Sequence, residues 1–61
     1  MKVYYYDNCK IVFYPLCEVN ECEIYTRSGL FIATIETRQM NKRAADYAYR
    51  YAMRWKLIPT I

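Results

Sequence analysis

Hydrophobic and aromatic positions fall in four short runs before residue 36 and in one longer, alanine-rich run after residue 41. "VYYY" (3–6) is made of strand-favouring residues and ends at Asp7-Asn8, a turn-forming pair. "KIVFY" (10–14) is β-branched and aromatic, and stops at Pro15, which has no N–H to give to a ladder. Together these runs predict a hairpin. "LCEVNE" (16–21) predicts a connection. "CEIYT" (22–26) and "LFIATIE" (30–36) flank Arg27, Ser28 and Gly29. Gly29, the only glycine, supplies the positive φ of a tight turn, so a second hairpin is predicted.

Beyond Glu36 the pattern changes. Thr37 and Asn41 are both good N-cap types. From Lys42 to about Lys56 there is no Gly or Pro, and four alanines favour helix until Pro59 ends it. In "AADYAYRYAMRWK" (44–56), Tyr47, Tyr49 and Tyr51 alternate as they would on a strand. A strand of that length would run far past the usual five or six residues, so length and alanine content decide for a helix. Its sheet-facing stripe is predicted to be Ala44, Ala45, Ala48, Tyr51, Ala52 and Trp55, with Tyr51 and Trp55 packing along the side. Lys42, Asp46, Arg50 and Met53 fall opposite, with Asp46 and Arg50 in the favourable i, i+4 order.

The expected fold class is α+β: residues 1–61 as a single domain, a small antiparallel sheet of three or four strands (β-β-β-β-α), and one C-terminal helix on one face. One helix covers one face only. The first hairpin carries aromatic groups on both, so Tyr4, Tyr6, Tyr14, Tyr25 and Tyr49 are candidates for an aromatic interface, Tyr being enriched at binding surfaces.

Composition limits the classes open to the chain. At 56% hydrophobic and 18% aromatic it has apolar area to bury, which argues against disorder. A chain this short buries only about 60% of its unfolded surface, so a homodimer with paired sheet faces would relieve a small core. No apolar run approaches the roughly 18 residues of a membrane span, and residues 1–10 lack the pattern of a signal peptide. A cytoplasmic protein, in the host cell if viral, is expected. Cys17 and Cys22 could pair, or Cys9, Cys17 and Cys22 could join a carboxylate on a metal, but buried free thiols are the commoner state in a reducing compartment. With no His, and Ser28 alone in a presumed turn, no nucleophile–base pair can be assembled, and no Gly-rich phosphate loop is present. Neither an enzyme nor a cofactor is expected.

Charge is two-ended. Residues 1–36 carry three basic against five acidic groups, net −2; residues 37–61 carry six against Asp46 alone, net +5. Arg43, Tyr47, Arg50 and Arg54 stand at i, i+4, i+7 and i+11, one ridge beside the buried stripe, with Lys42, Arg38 and Lys56 able to extend it. Guanidinium forks around an aromatic ring suit phosphates and bases, or carboxylates on a protein.

The order of strand, Thr-rich turn and helix with early alanines in "TIETRQMNKRAADYAY" (34–49) resembles the small arm-site DNA-binding domains of phage and transposon integrases, over residues 22–52. Those domains read DNA through the sheet, whose charges here are largely acidic. The arrangement is equally similar to small phage-encoded inhibitors of host enzymes, anti-CRISPR proteins among them. The expectation is a non-enzymatic binding protein, of phage or mobile-element origin, that binds and inhibits a host protein of nucleic-acid metabolism or defence. The alternative is direct DNA or RNA binding through the basic helix.

Overall fold

The computed structural model describes residues 1–14 and 21–58. Strands β1 (Lys2–Tyr5), β2 (Lys10–Phe13), β3 (Glu21–Tyr25) and β4 (Phe31–Glu36) are followed by helix α1 (Lys42–Arg54). The strands form one antiparallel meander in chain order, so the α+β expectation holds with all four strands in a single sheet. Pro15, Cys17, Glu18, Pro59 and most of the expected 16–21 connection lie outside the described residues; Glu21 opens β3.

Strand alternation builds the core. Ile11 and Phe13 of β2, Cys22 and Ile24 of β3, and Ile35 of β4 are buried with Ala45, Ala48 and Ala52 of the helix. Tyr4 closes the β1 side, its ring edge-on to Phe13 at 6.0 Å. The register slips once, between Ile24 and Tyr25, where Ala33 faces Ile24 but Phe31 faces Tyr25. Ile32 is the extra residue. This bulge turns Ile32 toward the core and Phe31 onto the other face, beside Tyr25. At the turn, Gly29 has φ 102°, as its solitary place in the sequence predicts. The Gly29 N–H donates to Thr26 O, and Leu30 N–H to Thr26 Oγ1.

Of the two candidate N-caps, Asn41 is the one used. Its extended backbone (φ −132°) lets Oδ1 accept from the Ala44 N–H at 2.9 Å. Thr37 orders the approach instead, donating to Gln39 O. The helix ends in a Schellman turn: the Lys56 N–H reaches Met53 O and the Leu57 N–H reaches Ala52 O. Lys56 occupies the left-handed position (φ 56°) usually given to glycine, and the reversal returns Ile58 to the core at 3% exposure.

The predicted inward stripe is corrected at its edges. Ala45, Ala48 and Ala52 are fully buried, but Tyr51 is 40% and Trp55 60% exposed. Tyr49 and Met53 take their places against the core, although Met53 was expected opposite. Relative to the expected stripe the helix is turned by roughly 70°, at 100° per residue. Among the described residues no helix is long and apolar enough to cross a membrane.

Two stability measurements test this packing. Ala48→Leu forces a larger side chain into the sealed seam and is expected to cost about 1–3 kcal/mol in denaturant unfolding. Lys56→Gly relieves left-handed strain and is expected to stabilise by about 1 kcal/mol, raising the melting midpoint by roughly 4–8 °C.

Candidate functional site

Tyr6, just past β1, sets the orientation of the helix. Its ring stacks on Tyr49 with centroids 4.3 Å apart and planes within 7°. Its hydroxyl donates to Asp46 Oδ1 at 2.7 Å, and the same oxygen accepts from Lys42 Nζ. The Lys42 ammonium also lies over the Tyr6 ring, 5.1 Å from its centroid. Asp46 therefore pairs backward with Lys42 rather than forward with Arg50, as its spacing had suggested. Lys42 stands on the flank toward the sheet, apart from the arginine ridge. Farther along, Asn8 Nδ2 meets Met53 Sδ at 3.5 Å. One strand end thus grips Lys42, Asp46 and Tyr49, three residues on one side of the helix.

With that side held, Arg43, Tyr47, Arg50 and Arg54 face away from the sheet, all exposed. Tyr51 and Trp55 join them, their rings 6.2 Å apart, and the Arg54 guanidinium lies 5.9 Å from the Trp55 ring centroid. Residues 47, 51 and 55 form an aromatic row at i, i+4 and i+8, alongside the guanidinium row. Tyr47 borders two concavities. A groove of about 740 Å³ beside it is lined by Arg38 and Arg43 with the β4–α1 connection, and a smaller one of about 390 Å³ lies between Arg50, Arg54 and the Tyr51–Trp55 pair. Lys42 takes the ion pair with Asp46, and among the described residues Arg43, Arg50 and Arg54 make none, Arg50 acting on Asp46 only at longer range. Arg38, Arg43, Tyr47, Arg50 and Arg54 are thus brought together as one surface. Tyr51 and Trp55 belong to it and were assigned to the core from sequence; their i, i+4 relation to Tyr47 was the available signal.

The five aromatic-interface candidates separate. Tyr4, Tyr6 and Tyr49 lie between sheet and helix. Tyr14 and Tyr25 stand on the open face, where the Tyr25 hydroxyl donates to Glu23 Oε1 at 2.7 Å and hydrogen-bonds to Tyr14. That link spans the face beside Val12, which is 5% exposed though it points away from the helix. Pairing aligns Tyr5, Lys10, Tyr25 and Phe31 in one cross-strand row. Lys10 lies over the Tyr25 ring at 5.7 Å, and Arg27 over Tyr5 at 5.3 Å while donating to Tyr6 O. At the other end of the strands Glu21 and Glu36 are direct cross-strand partners.

Protonation follows these contacts. Burial, then the bond to Asp46, pushes the Tyr6 hydroxyl well above its ordinary range. Asp46 is held below its usual value by Lys42 first and Tyr6 second. The Glu23 and Tyr14 hydrogen bonds raise Tyr25. Cys9 and Cys22 are free, buried thiols; burial pushes Cys22 up to about 11 and raises Cys9, against a smaller opposing pull from Arg27. Thiols held protonated in an apolar setting are poor nucleophiles and poor metal ligands.

Comparison of the chain with protein-family models, with curated proteins and with solved structures finds no match to any of them.

The Tyr6 bond has a pH signature. A raised folded-state value means that its contribution is present below the ordinary value of 10.0 and is lost as pH rises beyond it. Tyr6→Phe keeps the stack and removes the hydroxyl. The stability difference between wild type and Tyr6→Phe is therefore expected to hold steady below the ordinary value of 10.0 and to shrink as pH is raised past it. Tyr25 titrates alike in both proteins and cancels. Denaturant midpoints at a series of pH values measure the difference.

Proposed function

We propose that this chain is a non-enzymatic binding protein that docks the outer face of its helix on an acidic surface of a partner protein. The observation that carries the reading is three exposed guanidiniums, none in an ion pair among the described residues, set beside three exposed aromatic side chains on one face. Arg, Tyr and Trp are the residue types that dominate the energetics of protein interfaces. A helix held by a packed alanine seam presents them with little ordering cost on binding. The protonated, buried thiols and the absence of His support a role without covalent chemistry. The partner we infer is a host protein of nucleic-acid metabolism or defence, which a small phage- or mobile-element-encoded product of this kind would inhibit by occupation, in the manner of anti-CRISPR proteins. Size and the resemblance of the β-β-β-β-α order to such inhibitors support that part of the reading.

A second reading has its own observation. The row Tyr47, Tyr51, Trp55 running beside Arg43, Arg50, Arg54 alternates stacking surfaces with phosphate donors, as single-stranded nucleic acid requires. Such binding falls steeply with salt, because each neutralised phosphate releases counterions.

Affinity capture from host lysate with and without nuclease separates the two. The protein-partner reading expects a captured protein that survives nuclease and is lost with Arg50→Glu/Arg54→Glu, a variant whose exposed positions leave the fold intact by circular dichroism. Capture that vanishes on nuclease treatment, together with salt-dependent binding of a labelled single strand, would transfer the function to nucleic acid. Retention of the captured protein by the double variant would remove the helix face from either role.

A further inference from the structure

The sheet face away from the helix carries charge at two opposite corners. Lys10 and Arg27 mark the β1–β2 side at one end of the strands, each laid over a tyrosine ring and neither with a carboxylate partner among the described residues. Glu21 and Glu36 mark the β3–β4 side at the other end. Like charges directly opposite on neighbouring strands destabilise a sheet. Between the corners the face carries Val3, Tyr5, Tyr25 and Phe31 around a covered Val12, with Thr34 and with Glu23, whose carboxylate accepts from the Tyr25 hydroxyl. Tyr5 is 65% and Phe31 57% exposed, with no described element over them.

We propose that this open sheet face docks a second copy of the chain, Lys10 and Arg27 of each copy lying over Glu21 and Glu36 of the other. The charge arrangement selects the occupant. A two-fold axis running across the face between the two corners exchanges them, so one copy supplies the complement of the other at both ends. That axis sets the strands of the two sheets roughly crosswise, one of the two established ways in which sheets pack face to face. Four strands at about 4.8 Å spacing and some five residues of about 3.3 Å give a small, nearly square patch. An interface of that size lies at the low end for specific association, so the dimer is weak and its charge pairs decide whether it forms. The proposal is independent of the helix face, which stays outward in both copies.

Sedimentation of the full chain from micromolar to millimolar concentration, in low and in high salt, tests it. A reversible dimer is expected that weakens as salt screens the corner pairs. Lys10→Glu and Glu36→Lys are each expected to weaken it by about tenfold, and Lys10→Glu/Glu36→Lys to recover most of the loss because the corners are complementary again. Glu36→Lys also removes the Glu21 repulsion, so its monomer is expected to unfold at no lower temperature than wild type. If a variant proves unfolded by circular dichroism, the salt series on the unaltered chain decides. A chain monomeric at every concentration in low salt would overturn the proposal, as would a salt-insensitive dimer or one untouched by both single substitutions. Loss of association in Arg50→Glu/Arg54→Glu, or open-ended oligomers, would mean that the helix of one copy contacts the sheet of the next, which also overturns it.

Discussion

The rotation of α1 about its own axis governs what the protein offers to its surroundings, and the contact of Tyr6 with Asp46 and Tyr49 fixes that rotation. Alanines alone would leave it loosely set, since Ala44, Ala45, Ala48 and Ala52 make a smooth strip that can roll against a sheet. Tyr6 resists rolling in two ways. Its ring stacks face to face on Tyr49, which opposes sliding, and its hydroxyl meets Asp46 one turn earlier, which sets the angle. Lys42 completes the arrangement by compensating the carboxylate that a tyrosine hydroxyl alone would leave charged. Every outward-facing residue of the helix follows from this anchorage.

The chain's uneven charge then acquires a spatial meaning. Its basic C-terminal third becomes the outer helix surface, and two of its carboxylates, Glu21 and Glu36, meet at one corner of the opposite sheet face. Two chemically distinct surfaces stand back to back across a core of small and medium side chains. Asp46, the one acidic residue of the helix, is hydrogen-bonded to Lys42 and Tyr6, so none of the three arginines takes it as an ion-pair partner. The result is a cationic surface on one side of the molecule.

Much of this was legible in the order of residues. The hairpin at Gly29, the cap at Asn41 and the helix over 42–54 are local decisions, each made by a residue whose backbone preference has little competition. The orientation of the helix was not legible, for a physical reason. A broad alanine stripe can be flanked by Tyr51 and Trp55 or by Tyr49 and Met53 with similar apolar gain. The choice is made by Tyr6, some forty residues earlier, through a pairing that periodicity does not register. The division of the tyrosines was hidden likewise, because adjacent positions in "YYY" go to opposite faces and only the pairing register says which. Arg43, Tyr47, Arg50 and Arg54 came together as their spacing implied, while Lys42 left that group for a carboxylate one turn away.

The bulge at Ile32 bears on which side chains the seam beneath the helix can hold. Regular pairing through β4 would put Phe31 on the same side as Ala33 and Ile35, and send Ile32 out beside Tyr25. The extra residue therefore acts as a sorter: it brings the aliphatic side chain to the helix side and diverts the aromatic one to the far side of the sheet. An insertion or deletion that straightened β4 would exchange those two side chains between faces and, in the same stroke, strip the open surface of an aromatic residue.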